Sequence, residues 1–344
     1  MRLHLRHQPT VDRAVEDDAR RLTAAIAAPV EIASGGEAIG ASPRLGRHGS
    51  VPIVRLPPLI RSLRPLQWTK NAVVFAALVF SGELFEVGSL LRTLVAAAVF
   101  CCASSAMYLV NDLRDVEGDR VHPRKRHRPI AAGLITPGQA AAAAAVLFGI
   151  AVAGAWLVGV PLLAVVLAYV ALMVAYSYGL KRLVILDVFA IAAGFVLRAV
   201  GGAVAIDVPV SPWLYLCTLL LALFIGFGKR RHELTSLEAE AVRHRANLEA
   251  YSVPLLDQIT GVVASAIVMA YSLYTFDAPN VPSNQAMMLT IPFVVYAVFR
   301  YLYLTQRRDL GGAPEVLLFA DRSLLACIVG WGVTSVAILY LVPR

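Results

Sequence analysis

Asn111-Asp112-Leu113-Arg114-Asp115-Val116-Glu117-Gly118-Asp119-Arg120 follows directly on an apolar run that begins near residue 88, and the junction of the two decides the fold class. A run of this length is what a membrane-crossing helix needs, about 20 mostly apolar residues to cover the hydrocarbon core. If the helix continues into the polar segment at about 100° per residue, Asp112, Asp115 and Asp119 fall within an arc of roughly 60°. Three carboxylates on one face repel one another, and ionisable groups facing into a membrane bundle are there for function by default. A hard divalent cation relieves the repulsion. Mg²⁺ takes oxygen ligands, typically one or two carboxylates with phosphate oxygens and water. Asp112, Asp115 and Asp119 are therefore the candidate metal ligands and catalytic acids. Asn111 adds a neutral amide beside them, and Glu117 points to the other side, into solvent.

The rest of the chain agrees with a membrane setting. Of its 344 residues, 58% are hydrophobic and 16% charged, against about 45–50% and about 25% in soluble domains. Nine apolar segments are candidate spans, at about 70–83, 88–111, 137–157, 160–178, 184–205, 212–228, 256–276, 287–305 and 321–341, which predicts an all-α polytopic bundle. Loop charges orient it. With the N-terminus inside, the cytoplasmic loops hold Arg114, Arg120, Arg124, Lys125, Arg126, Arg128, Lys181, Arg182, Lys229, Arg230, Arg231, Arg243, Arg245, Arg307 and Arg308, while the opposite loops hold only Arg92. That asymmetry is the positive-inside pattern. It also accounts for the net charge of +8, so nucleic acid is not an expected partner and membrane lipids are.

Residues 1–55 are polar, mixed in charge and rich in Gly and Pro, without the apolar core of a signal peptide. They read as a disordered cytoplasmic tail, leaving 56–344 as the transmembrane catalytic domain. Cys101, Cys102, Cys217 and Cys327 all lie in apolar runs, with no partners at zinc spacing, and read as small buried hydrophobes. Ala/Gly-rich stretches such as Ala140 to Ala145 and Gly194 to Ala203 are packing surfaces, since small residues let helix backbones approach in lipid. A homo-oligomer is left open.

Further polar residues gather at the same face. Arg120, Lys125 and Arg128 belong to a basic run ending at Pro129, and arginine suits phosphate because its fork is bidentate. Tyr176 and Lys181 follow the fourth predicted span, Lys229 closes the sixth, and Lys70 stands at the mouth of the first beside Asn71. Asp187 opens the fifth span, and Arg198, 11 residues later, shares its face. An arginine that deep in an apolar helix is either paired, with Asp187 the available acid, or lines a wet cavity.

On these residues the chain resembles the UbiA superfamily of membrane prenyltransferases. The resemblance rests on Asn-Asp-x-x-Asp-x-x-x-Asp from Asn111 to Asp119, on the basic segment ending Arg128-Pro129, and on a nine-span count. It covers about residues 60 to 344. Within that superfamily it is similar to the branch that makes actinobacterial cell-wall precursors. Those matches are Arg64-Pro65-Leu66-Gln67-Trp68-Thr69-Lys70-Asn71, His122 to Pro129, Tyr176-Ser177 with Leu180-Lys181, and Gly194 to Arg198. The resemblance implies a bundle with a cytoplasmic-side cavity in a bacterial plasma membrane, and Mg²⁺ as cofactor. It also implies a reaction in which 5-phosphoribosyl 1-diphosphate and decaprenyl phosphate give decaprenyl-phosphoryl 5-phosphoribose and diphosphate. Asp187 then steadies the ribose, and Lys125, Arg128 and Lys181 meet phosphates. One departure matters. Prenyl-diphosphate enzymes of the superfamily carry a second Asp-x-x-x-Asp after the fourth span, and here Asp187 stands alone. Two other readings stay open: an aromatic prenyltransferase using a polyprenyl diphosphate, and a transporter of a phosphorylated lipid or anion.

Overall fold

The computed structural model describes residues 56–122, 125–236, 248, 250–307, 317 and 320–342. The expected tail, 1–55, lies outside the described residues, as do Arg124, Arg243, Arg245 and Arg308. All regular structure among the described residues is helical. The described residues open with α1 (Pro58–Ser62), a 3₁₀ segment (Pro65–Val74) and α2 (Phe75–Ser81). There follow α3 (Val87–Arg114), α4 (Val116–Val121), α5 (Pro137–Val158), α6 (Val160–Tyr178), α7 (Leu186–Ala205), α8 (Pro212–Ser236), α9 (Val253–Asp277), α10 (Ile291–Arg307) and α11 (Arg322–Leu341). Among the described residues, eight helices are long and apolar enough to cross a membrane: α3, α5 to α9, α10 with its leading 3₁₀ turn Ala286–Thr290, and α11. The protein is a multi-pass membrane protein.

The first expected span, 70–83, is the one built differently. Its residues are 3₁₀ up to Val74 and α-helical only in α2, which ends on Gly82 at φ 93°, the left-handed cap that glycine supplies. A 3₁₀ helix rises ~2.0 Å per residue against ~1.5 Å in an α-helix. Residues 70–81 therefore reach only about 20 Å, short of the roughly 30 Å of a hydrocarbon core. The sixth span departs in the other direction. It was expected to close at 228, but α8 continues through Lys229 to Ser236. Its added charges are neutralised within the bundle: Arg230 reaches Asp187 and Glu233, and Arg231 reaches Asp257.

Neighbours in sequence pack as neighbours in space, from α3 on α5 through α6, α7, α8, α9 and α10 to α11. α7 is the most buried crossing helix, touching α2, the first 3₁₀ segment, α3, α6 and α8. Its small residues make that possible. A Cβ on Gly202 would lie 2.0 Å from the Val74 carbonyl oxygen, and one on Gly201 would lie 2.4 Å from the Phe100 ring. The Gly194 to Ala203 stretch is thus a packing surface inside the bundle, as Ala140 and Ala144 are in α5.

The last helix closes the ring on the first segment. Tyr340 Oη donates to Val79 O at 3.0 Å and accepts from Leu84 N–H at 2.9 Å. Asn280 Nδ2 donates to Phe80 O at 2.5 Å. The Phe80 ring packs edge-on against Tyr274 and beside Trp331. These bonds satisfy the carbonyls that α2 leaves open in its last turn. On the same face Arg92 and Asp207 form a solvent-exposed pair at 2.6 Å.

Candidate active site

The polar segment after α3 does not continue as one helix. Asp115, at φ −92° and ψ 9°, separates α3 from the single-turn α4. The break divides the three carboxylates. Asp112 and Asp119 turn inward and are each 3% exposed. Arg128 Nη1 donates to both, at 3.0 Å to Asp112 Oδ1 and 2.6 Å to Asp119 Oδ2. Arg64 Nη2 reaches the same Asp112 oxygen at 2.5 Å. Asp115 is half-buried, and Lys181 Nζ bonds its two oxygens at 3.3 and 3.2 Å. Glu117 is exposed, as expected. Burying two carboxylates side by side is tolerable only because cations and hydrogen bonds meet them.

Asp112 and Asp119 thus share Arg128, while Asp115 meets Lys181. Among the described residues no three His, Cys, Asp or Glu side chains converge as a metal-holding group. The pair still forms a fitting donor set. Two buried carboxylates already share one cation position, and Mg²⁺ typically takes one or two carboxylates and completes its shell from phosphates and water.

Cations surround the pair. Arg64 sits at φ 56° immediately before a proline, a strained backbone for a non-glycine residue. Its guanidinium covers the Tyr108 ring at 4.7 Å. In the sequence it stood out only as part of the Arg64 to Asn71 string, without a role. Its signal is the Arg-Pro step, which fixes the chain where it enters the bundle. Trp68 donates its indole N–H to Ser105 Oγ at 3.0 Å and ties this entry segment to α3. Arg114, assigned only to topology, lies over the Tyr178 ring at 4.3 Å, and its buried Nη1 meets no hydrogen-bond partner. Of the other expected ligands, Asn111, Lys125 and Lys70 are half-buried near this cluster in sequence, and Arg120 is exposed.

Two expected members stand apart. Asp187 does not pair with Arg198. It is fully buried, with Oδ2 on Arg230 Nε at 2.7 Å and Oδ1 on Tyr251 Oη at 3.0 Å. Arg230, from the cluster that drew attention to Lys229, is the partner, because α8 extends far enough to deliver it. Lys229 is half-buried beside it, and Tyr176 is within electrostatic reach of Arg230. Arg198 is 6% exposed and bonds neutral groups, with Nε on Asn71 Oδ1 at 2.7 Å, Nη1 on Gly194 O at 2.9 Å and Nη2 on Tyr169 Oη at 2.8 Å. It lies over the Tyr169 and Phe195 rings. Asn71 also bonds Cys101, three turns before Asp112 on α3.

Residues 72–340 match the UbiA prenyltransferase family. The chain belongs to that family. Among UbiA relatives, the decaprenyl-phosphate phosphoribosyltransferase of Corynebacterium glutamicum is 35% identical over 292 residues, covering 83% of this chain and 87% of that protein. The enzyme of the same name from Mycolicibacterium smegmatis is 36% identical over 297 residues, covering 82% and 92%. In fold, the chain is similar to a UbiA homolog from Archaeoglobus fulgidus solved with GPP and Mg²⁺. That likeness has a TM-score of 0.63 at 15% identity and covers 82% of this chain and 100% of that one.

Proposed function

We propose that this chain transfers the 5-phosphoribosyl group from 5-phosphoribosyl 1-diphosphate to decaprenyl or another polyprenyl phosphate at the cytoplasmic face of a bacterial plasma membrane. The observation that carries the reading is the relatives of that name, about 35% identical along more than four fifths of both chains. The Asp112–Asp119–Arg128 arrangement supplies the chemistry. Asp112 and Asp119 are the residues that would hold Mg²⁺, with Asp115 beside them. When bound, the ion neutralises charge on a diphosphate.

The chain's own cations do the remaining work. Arg128 and Arg64 have nitrogens within hydrogen-bond reach of the carboxylate pair, where phosphate oxygens arrive. Lys181 Nζ, bonded to Asp115, suits the phosphates on that side. In the transfer, the bond between ribose C1 and the diphosphate oxygen breaks, and the electron pair leaves with diphosphate. A lipid phosphate oxygen forms the new bond to C1 from the opposite face. No general base is required, because a phosphate monoester has a second pKa of about 6 and is largely ionised at pH 7. Arg230 and Tyr251 each bond one of the Asp187 oxygens. The place of Asp187 in this reading is structural.

A second reading, prenylation of an aromatic acceptor, draws on the likeness to the GPP-bound archaeal fold. It lacks the second Asp-x-x-x-Asp string in the sequence, and Asp187 is committed to Arg230 and Tyr251. The test uses purified protein with Mg²⁺. Labelled 5-phosphoribosyl 1-diphosphate should give a labelled lipid with polyprenyl phosphate and nothing with polyprenol. Polyprenyl diphosphate with 4-hydroxybenzoate should give no product. Lys181→Ala should lower transfer roughly tenfold, the size of one charge-assisted hydrogen bond, with the melting temperature unchanged. Prenylation of the aromatic acid without sugar transfer would decide for the second reading.

Orientation is checked separately. In a cysteine-free background, Arg126→Cys should label only from the cytoplasm and Ser283→Cys only from outside, both positions being exposed. Labelling of both from one side contradicts the assigned topology.

A further inference from the structure

The turn that joins α6 to α7 carries Lys181, and its backbone is strained at one residue. Ile185 sits at φ 69° and ψ −50°, and Leu186 N–H donates to Val184 O at 2.8 Å across it. That is a γ-turn of the rare, positive-φ kind. A β-branched residue there is a true outlier, and such strain persists only where the surroundings enforce it. Ile185 gains little from its side chain, which is 41% exposed. The enforcement comes from Tyr251, just ahead of α9. Its hydroxyl accepts the Ile185 N–H at 2.5 Å and donates to Asp187 Oδ1 at 3.0 Å. Asp187 in turn is fixed by Arg230 of α8, and its own N–H bonds Leu183 O. One phenol therefore grips the turn on both sides of Leu186. Burial and the adjacent Asp187 carboxylate push the Tyr251 hydroxyl up to about 12, against the pull of the Ile185 N–H, so it stays a donor at neutral pH.

We propose that Tyr251 is a positioning residue: by clasping the strained Ile185 turn to Asp187, it holds the preceding 3₁₀ turn, Leu180–Arg182, so that Lys181 stands over Asp115 to receive a phosphate. This rests on reading Lys181 as a phosphate ligand. It adds a residue from a distant part of the chain, 66 positions from Ile185, that touches no substrate itself.

Three measurements on the full-length protein in detergent test it: hydrogen exchange over residues 180–187, calorimetric binding of inorganic diphosphate with Mg²⁺, and thermal melting. Tyr251→Phe should raise exchange in that segment and weaken diphosphate binding about tenfold, with melting shifted by only a few degrees. In a Lys181→Ala background, the same change should weaken binding no further, because its effect runs through Lys181. Ile185→Gly relieves the strain, since glycine adopts positive φ freely. In that background Tyr251→Phe should weaken binding by less than about threefold, and this pair also serves should Tyr251→Phe alone fail to accumulate. Unchanged exchange, or effects that multiply in the Lys181→Ala background, would overturn the proposal. If the wild type binds diphosphate but transfers no phosphoribose, the proposed function fails while the clasp is still decided by these comparisons. If the wild type does not bind diphosphate at all, the Lys181 reading and the clasp fall together.

Discussion

Asp112→Asn is expected to lower turnover at least about 100-fold, the scale of losing a major electrostatic contact in a transition state. Asp112 Oδ1 accepts from both Arg64 and Arg128. An amide keeps the shape but removes the charge that these two cations share. It also removes half of the carboxylate pair that fits a divalent ion. Asp119→Asn should be comparable, because Asp119 is the other buried member. Asp115→Asn should be milder, since its side chain is 32% exposed and faces one lysine. Glu117→Gln should stay within about twofold, as an exposed charge in high dielectric contributes little. Steady-state transfer rates on the four variants check the ranking. A Glu117→Gln defect equal to that of Asp112→Asn would refute the assignment of the inner pair.

The second large effect concerns stability. Arg230→Ala leaves Asp187, fully buried, without its cation. Breaking a buried pair from one side destabilises by about 3–5 kcal/mol. Thermal melting in detergent should fall clearly. Arg231→Ala should change it by no more than about 1 kcal/mol, because its partner Asp257 is 36% exposed. The double change Arg230→Met with Asp187→Leu should recover only part of the loss, since it removes the uncompensated buried charge but leaves the Tyr251 hydroxyl and Glu233 without their partners. A double variant no more stable than Arg230→Ala would mean that the uncompensated charge is not the source of the loss.

What was legible in the sequence followed from composition and period. The crossing helices were recognisable as apolar runs, and α6 falls on the expected 160–178. The cluster at Asn111 to Asp119 was legible because carboxylates are rare at the end of an apolar run. The break at Asp115 was not. A helix period gives angles only while the helix continues, and nothing local in Arg114-Asp115-Val116 signals a stop. The Asp187 pairing was missed for a related reason. Face-sharing along α7 pointed to Arg198, whereas the true partner comes from α8, whose end cannot be read from hydropathy once charges are neutralised by neighbours. Tyr251 was invisible because its meaning lies in a backbone strain at Ile185 that no residue pattern announces.

The bonds that close the ring also set a timetable for synthesis. The carbonyls at the end of α2 find their partners in Asn280 and Tyr340, 200 and 261 residues further along the chain. At translation rates of about 5–20 residues per second, roughly 10 to 50 seconds pass between the emergence of α2 and that of its last partner. During that interval the carbonyls face lipid or headgroup water, and exposed backbone polar groups are unfavourable in hydrocarbon. The short first segment therefore receives the last of its backbone partners only when the final helix packs against it. A ribosome stalled before residue 340 would thus hold an assembly whose entrance, with Arg64 and Lys70 on that same segment, has yet to be fitted to the carboxylates it serves.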